Sequence, residues 1–366
     1  MSSELNQLLK PLRDKIDALD HQILDLLNQR AQTAIEVGKV KHGFDADDAV
    51  IKPEREAQVI RALQKDNLNG VFPNASVSAV WTEIISACRG LERGLTIAYL
   101  GPKGSFSEQA AYDFYGHAVQ ALPCPSFDEV FRAVEAGQAD VGMVPVENST
   151  EGAVNRTQDL LLSTTLKVHG ERTLTIHQCL MTKSGNMEGI EKIMAHPHSL
   201  AQCHQWLSLN FPNLVLEPAA SNSDAARIAA EDPTVAAIAG SHAAAAWELL
   251  MVAENIQDDA NNKTRFLAIG HILNQPSGDD QTSLIVAVPN RVGAVHDLLM
   301  PFSAHGVSMS RFESRPARTG QWEYYFYIDI LGHQDDENVR QALTELEARS
   351  SFLKILGSYP RQHDNR

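Results

Sequence analysis

The sequence predicts a multidomain chain of three differently built segments. These are an all-α segment over residues 1–93, a two-lobed α/β segment over 94–273 and an α+β segment over 280–366. Three observations carry this. Apolar residues recur at helical spacing through the first segment. Short apolar runs bounded by glycine alternate with helical runs in the second. The third reads strand, helix, strand, strand, helix, strand, the βαββαβ order of a ferredoxin-like unit. A length of 366 residues suits two or three domains.

In the first segment Leu12, Ile16, Leu19, Ile23, Leu26, Leu27, Ala34 and Val37 mark one long helix. Pro11 suits its first turn, and nothing interrupts the pattern before Gly38. About 30 residues at 1.5 Å rise make a rod of roughly 45 Å. Two shorter helical runs follow, Pro53 to about Leu68 and Ser76 to about Arg93, separated by "LNGVFPN". One long and two short helices cannot enclose a core alone, which predicts a dimeric helical domain.

From Leu95 the rhythm changes. "LTIAYLG" reads as a strand and a glycine turn, "SFSEQAAYDFYG" as a helix and "ADVGMVPVENS" as a strand entering a loop. "RTLTIHQCLM", "GIEKIMAH", "VLEPA", "VAAIAG" and "FLAIG" are further strand candidates. The alternation predicts a largely parallel sheet, and the length allows two lobes around a cleft. "HILNQPSGDDQ" reads as a linker rich in turn formers. Beyond it come strand "TSLIVAVP", helix "VGAVHDLLMPFSAHG", strands "VSMSRFESRP" and "WEYYFYIDIL", helix "DENVRQALTELEA" and strand "FLKILGSYP". "ESRP" is expected to join two of these strands.

Composition narrows the function. The chain is 43% hydrophobic and 21% charged, with a net charge of −15. Such a balance argues against nucleic acid as a partner but leaves room for small anions held by local positive charge. No apolar run is long enough to span a bilayer, so no membrane partner is expected. The opening "MSSELNQLLKPLRDKI" has early acids and no apolar stretch before a cleavage site, unlike a signal peptide. Cys88, Cys124, Cys179 and Cys203 form no Cys-x-x-Cys and read as reduced thiols in a cytoplasmic protein, with no metal site.

Several motifs carry charge with a geometry. Arg30 and Lys41 are eleven residues apart, so they fall within roughly 20° of one helix face, alongside Ala34 and Val37. Arg13 points about 100° away from Arg30, so the two reach one ligand only if a partner helix supplies one of them. "NNKTRF" sets Thr264 and Arg265 side by side at the mouth of a strand, a donor pair suited to a substrate anion. "GMVPVENSTEGAV" places Glu147, Asn148 and Ser149 at a strand end, and "AHPHSLAQC" supplies His196 and Gln202. "YLGPKGSFSEQAA" is neither G-x-G-x-x-G nor a P-loop. A Ser/His/Asp triad fits poorly, since no nucleophile elbow is present.

"LRDKIDALDHQILDLLNQRAQTAIEVGKVK", "PEREAQVI" and "ISACRGLE" together resemble the all-helical chorismate mutases. That resemblance implies an interlaced homodimer or higher oligomer. Arg13 comes from the partner chain, and Arg30 and Arg55 hold the carboxylates of chorismate. Lys41 and Glu92 reach the ether oxygen and Glu56 the ring hydroxyl, while Lys52 and Cys88 fill positions where the family varies. The rearrangement needs no cofactor, only a compact conformer and positive charge at the breaking C–O bond.

"GPKGSFSEQAA", "VPVENSTEGAV", "AHPHSLAQC" and "NKTRF" in this order resemble prephenate dehydratase. The resemblance implies a periplasmic-binding-protein-like cleft lined by Glu147, Asn148 and Gln202. It makes Thr264 the catalytic hydroxyl and Arg265 a substrate-carboxylate ligand, and Ala195 stands where the family can carry serine. "GAVH" and "ESRP" within the βαββαβ unit resemble the ACT domain of the same dehydratases. They imply a phenylalanine site at a dimer interface, formed by Gly293, Ala294, Val295 and His296 with Glu313, Ser314 and Arg315. The expected enzyme converts chorismate to prephenate and prephenate to phenylpyruvate, with feedback inhibition by phenylalanine. The competing expectation is a non-catalytic anion-binding and amino-acid-sensing protein.

Overall fold

The computed structural model describes residues 3–44, 51–288, 291–316 and 324–363. The first segment is three helices, α1 (Ser3–Phe44), α2 (Pro53–Asp66) and α3 (Asn74–Gly90). α1 starts nine residues earlier than the apolar pattern, so Pro11 lies inside the helix rather than in its first turn. Leu5, Leu8, Leu12, Ile16, Leu19 and Ile23 recur every three or four residues, and each is between 42% and 70% exposed. Gly38 has a packing reason. A Cβ there would sit 3.0 Å from Glu92 Cγ, so glycine lets the end of the segment fold back against α1.

The second segment builds two sheets. The first holds β1 (Thr96–Leu100), β2 (Gln120–Cys124), β3 (Val141–Asn148), the short β4 (Gly152–Ala153) and β5 (Lys167–Thr175). Helices α4 (Phe106–Tyr115), α5 (Phe127–Glu135) and α6 (Asn155–Ser163) connect them. The chain then crosses to a second lobe of β6 (Cys179–Thr182), β7 (Lys192–Ala195), β8 (Val215–Pro218), β9 (Val235–Ala239) and β10 (Leu250–Ala253). This lobe carries α7 (Pro197–Gln202), α8 (His204–Asn210), α9 (Asn222–Glu231) and α10 (Ser241–Trp247). β11 (Lys263–Gly270) returns to the first lobe and completes the order β2-β1-β3-β11-β5. The second sheet runs β10-β6-β9-β7-β8.

Serine caps start several of these helices. Ser105, Ser126 and Ser221 each accept a hydrogen bond from the backbone N–H three residues on. β9, "VAAIA", is buried along its whole length, as a central strand covered on both faces requires.

The expectation of a largely parallel sheet is corrected. β1 pairs in parallel with β2 and β3, but β11 is antiparallel to both β3 and β5. In the second lobe β6 is antiparallel to β9 and β10. A strand that returns from another lobe enters its sheet from the opposite end, and that reverses its direction. The candidate "RTLTIHQCLM" divides into the end of β5 and the start of β6, which is where the chain changes lobes.

The C-terminal segment has β12 (Asp280–Ala287), α11 (Ala294–Ala304), β13 (Met309–Pro316), β14 (Tyr324–Leu331), α12 (Glu337–Arg349) and β15 (Phe352–Pro360). Its antiparallel sheet is ordered β13-β14-β12-β15. "ESRP" is not a connection: Glu313 to Pro316 form the end of β13.

This sheet packs onto the first lobe. Val144, Val168, Leu267 and Ile269 share one core with Ile285, Tyr327, Leu356 and Tyr359. Gly357 permits the approach, since a Cβ there would lie 2.0 Å from the Val168 carbonyl oxygen. The linker is packed as well. Asn274 is buried and donates to the carbonyls of His169 and Ser358. Among the described residues, no helix is long and apolar enough to cross a membrane, and no group of three or more His, Cys, Asp or Glu is placed to hold a metal ion.

Candidate active sites

β3 and β11 pair so that Thr264 lies opposite Asn148 and Arg265 opposite Glu147. Across the first rung Asn148 Nδ2 donates to Thr264 Oγ1 at 2.9 Å and to Asn262 Oδ1 at 2.8 Å. Asn148 Oδ1 accepts from the backbone N–H groups of Thr150 and Glu151. Every polar atom of the Asn148 amide therefore has a partner, and Thr264 is left with its own O–H to donate elsewhere.

Asn262, only 2% exposed, donates to Gln202 Oε1 at 3.2 Å, so the chain Thr264–Asn148–Asn262–Gln202 crosses from one lobe to the other. Asn148, Asn262 and Gln202 of this chain line a cleft of about 810 Å³ together with Thr150, Glu151 and His198, among others; Thr264 is not one of the lining residues and is joined to the cleft through Asn148. Glu151 of the first lobe pairs with His198 of the second at 2.6 Å.

Ser149 sits beside this rung, and its hydroxyl accepts from the Lys263 backbone N–H at 2.9 Å. His196 caps α7, and burial, then the nearby His198, pushes its imidazole pKa down. Ala195 is fully buried at the end of β7. Asn262 lies within the "NNKTRF" motif, but the sequence alone assigns it no role. Its signal was an amide two residues before Thr264, which places both on one face of an extended chain.

Arg265 and Glu147 lie elsewhere. Arg265 donates from Nε to Glu171 at 2.7 Å, from NH1 to Asp329 at 2.6 Å and from NH2 to the Tyr359 hydroxyl at 3.0 Å. Its guanidinium is spent on β5, β14 and β15, on the face of the sheet away from Thr264, so the expected role as a substrate-carboxylate ligand does not fit this geometry. Burial works to lower its pKa, but Asp329, Tyr359 and Glu171 hold it well above the ordinary arginine value. Glu147 is not aimed with Asn148 into the cleft either. It forms an ion pair with Arg311 of β13.

In the helical segment Lys41 Nζ lies 3.8 Å from Glu92 Oε2, so the two form an ion pair. Glu56 accepts from Arg89 at 2.7 Å, and Arg89, only 5% exposed, also donates to the Tyr115 carbonyl. Burial raises the Glu56 pKa, and the charges of Arg89 and Arg30 only partly offset it. Arg89 is the residue that sequence reasoning missed. It lies inside "ISACRGLE" with nothing local to mark it as buried.

Cys88 is buried, Lys52 and Arg30 are half-buried, and Arg55 and Arg13 are exposed. Arg13 stands about 26 Å along α1 from Arg30 at 1.5 Å per residue. One chain therefore does not bring these two together.

Of the expected effector residues, Gly293 precedes α11 with φ 79°, a left-handed conformation open to glycine, and Ala294 is buried. Val295 and His296 are exposed. Register places Ala287, Tyr325 and Arg315 on one row, so the end of β13 and the approach to α11 share one end of the sheet. Ser314 is exposed, while Glu313 accepts from Gln158 and Arg315 pairs with Asp159 at 2.9 Å, both on α6.

Three family descriptions match in chain order: chorismate mutase type II over residues 12–93, prephenate dehydratase over 97–272 and the ACT domain over 282–348. A helical mutase, a two-lobed lyase and a small ACT sheet on one chain define a multifunctional enzyme of phenylalanine biosynthesis. The chain is 49% identical over 363 residues to the bifunctional chorismate mutase/prephenate dehydratase of Neisseria gonorrhoeae, covering 98% of this chain and 99% of that one. It belongs to the family of bifunctional chorismate mutase/prephenate dehydratases.

The structure of a prephenate dehydratase from Arthrobacter aurescens in complex with L-Phe is 35% identical, with TM-score 0.67, covering 73% of this chain and 90% of that one. A protein described as a novel type of quorum quenching acylase, GqqA, is 28% identical with TM-score 0.67, covering 73% of this chain and 98% of its own. The shared fold thus carries more than one described chemistry, and the assignment here rests on family membership rather than on shape.

Proposed function

We propose that residues 1–93 rearrange chorismate to prephenate and that residues 94–273 convert prephenate to phenylpyruvate beside Thr264. Residues 280–366 bind phenylalanine and lower the flux. The observation that carries the second step is the hydrogen bond to the Thr264 hydroxyl from Asn148, which lines the cleft. Prephenate loses its carboxylate as CO2. The electron pair of the broken C–C bond enters the ring, and the ring hydroxyl departs with a proton as water. Thr264 donates the hydrogen bond that the leaving oxygen needs, and aromatisation supplies the driving force.

In the first step the ether C–O bond breaks as a C–C bond forms. Lys41 and Glu92 face the oxygen that gains charge, with Arg30, Arg55 and the partner subunit's Arg13 on the carboxylates. Lys52, Glu56 and Cys88 complete the pocket. The half-exposed apolar stripe on α1 supports the homodimer that this sharing requires. The two lobes support a periplasmic-binding-protein-like reading of the dehydratase, and the order β13-β14-β12-β15 supports a ferredoxin-like reading of the ACT segment.

The phenylalanine site is assigned to Gly293–His296 and Glu313–Arg315, at an interface between copies. The complex of the Arthrobacter aurescens dehydratase with L-Phe supports phenylalanine as the ligand. The deciding experiment gives purified protein chorismate and follows phenylpyruvate with and without phenylalanine. Accumulation of prephenate without phenylpyruvate would remove the dehydratase assignment, and a rate indifferent to phenylalanine would remove the effector.

A further inference from the structure

The two residues that flank the catalytic rung on the opposite face of the sheet are both held by the ACT segment. Arg265, next to Thr264, is gripped by Asp329 of β14. Glu147, next to Asn148, is met by Arg311 of β13, with Arg311 Nε 3.0 Å from Glu147 Oε2. Arg311 and Asp329 face each other in register, as Arg265 and Glu147 do. Four charges of alternating sign therefore form a square, with two corners on β3 and β11 and two on the ACT sheet.

The square is well supported on one side and loose on the other. Asp329 is 8% exposed and accepts from Ser283 as well as from Arg265. Arg265 further binds Glu171 and the Tyr359 hydroxyl, which also contacts Ser283 and Gln281. The Arg311–Glu147 contact is close in distance but off the line of a hydrogen bond, and Arg311 Nε has no hydrogen-bond acceptor. Arg311 also pairs with Glu313, whose other partner is Gln158 of α6.

A strand transmits such a grip to the next residue. Adjacent side chains point to opposite faces, so fixing Arg265 and Glu147 fixes the height and tilt of Thr264 and Asn148. We propose that Arg265 and Glu147 are positioning residues for the dehydratase step, and that Asp329 and Arg311 of the ACT segment hold the catalytic rung in place through them. This rests on the reading of Thr264 and Asn148 as the catalytic rung. Its consequence is that the ACT segment acts on the turnover step and not on capture of prephenate.

The test measures dehydratase kcat and KM for prephenate in the full chain. Asp329→Asn and Arg311→Gln are each expected to lower kcat about tenfold with KM within about twofold. Glu147→Gln combined with Arg311→Gln is expected to cost no more than either change alone, since both remove the same contact, whereas independent losses of stability would add. Mutase activity in the same preparations reports folding. Where an Asp329 variant does not fold, Arg265→Lys replaces it, since lysine keeps the charge but cannot span Glu171, Asp329 and Tyr359 with a planar fork.

Wild-type kcat in both single variants would overturn the proposal, as would a rise in KM at unchanged kcat. Thr264→Ala is run alongside. If it too leaves kcat intact, the catalytic rung itself is wrong; if it abolishes turnover while the charge variants do nothing, only the clamp is wrong.

Discussion

Thr264→Ala isolates one hydroxyl. Its Oγ1 accepts from Asn148 at 2.9 Å, but Asn148 keeps its bond to Asn262 and the two backbone N–H groups that hold its carbonyl oxygen. The folded state therefore loses one half-buried hydrogen bond, about 1 kcal/mol. On the proposed role of Thr264 the dehydratase transition state loses the group that hydrogen-bonds the departing oxygen, which costs about a hundredfold or more in kcat, or about 2.7 kcal/mol at 1.36 kcal/mol per decade. The second figure exceeds the first, so activity is expected to collapse in a protein that still folds. KM should change little, because the hydrogen bond strengthens only as the C–O bond breaks. The assay is phenylpyruvate formation from saturating prephenate, with mutase turnover of chorismate as the control for folding and Thr264→Ser as the variant that retains the hydroxyl. A kcat within about threefold of wild type, or an equal loss in Thr264→Ser and Thr264→Ala, would refute the reasoning.

Gly38→Ala should stabilise α1 by up to about 1 kcal/mol. The added Cβ meets Glu92 Cγ at 3.0 Å and shifts it by a few tenths of an ångström beside Lys41, so mutase kcat/KM should fall about tenfold; unchanged mutase activity with a raised unfolding midpoint would remove Glu92 from the site. Arg13→Ala protein mixed with Arg30→Ala protein should regain part of the mutase activity as heterodimers form, and no recovery despite demonstrated subunit exchange would exclude a shared site. His169 is fully buried against the Tyr115 hydroxyl at 2.7 Å, and burial holds its pKa down at about 3. The unfolded chain binds this proton near pH 6.5 and the folded one does not, so its stabilising contribution is present above about 6.5 and lost as pH falls toward 3. By pH 5 the loss is about 2 kcal/mol, and His169→Gln should flatten that part of the urea-unfolding profile. Equal slopes for the two proteins between pH 7 and pH 5 would count against it.

What the sequence made legible follows the range of the forces involved. The stripe Leu12, Ile16, Leu19, Ile23 is a local periodicity, so α1 could be read even though its first turn could not. Those early turns carry Leu5 and Leu8 ahead of a proline that the helix tolerates. β2 was missed because "QALPC" is a largely exposed edge strand with Pro123 inside it, which a period-two pattern does not reveal. β10 is a second exposed edge.

The direction of β11 depends on which end of the first sheet the chain re-enters. The pairing that records it, Thr264 with Asn148, spans 116 residues. Arg265 shows the limit most clearly. Its neighbour Thr264 and its basic side chain made an anion site the natural local reading. In an extended strand two adjacent residues cannot both face one ligand, and the charge that claims Arg265 is Asp329, 64 residues away on another domain. Arg89 is the same case in a helix: its partner Glu56 is 33 residues distant, and neither neighbour along α3 signals a buried cation. Strand alternation alone divides the Thr264–Arg265 pair between two faces of the sheet. Which of the two turned toward Asn148 then required knowing that a sheet bearing a carboxylate covers the other side.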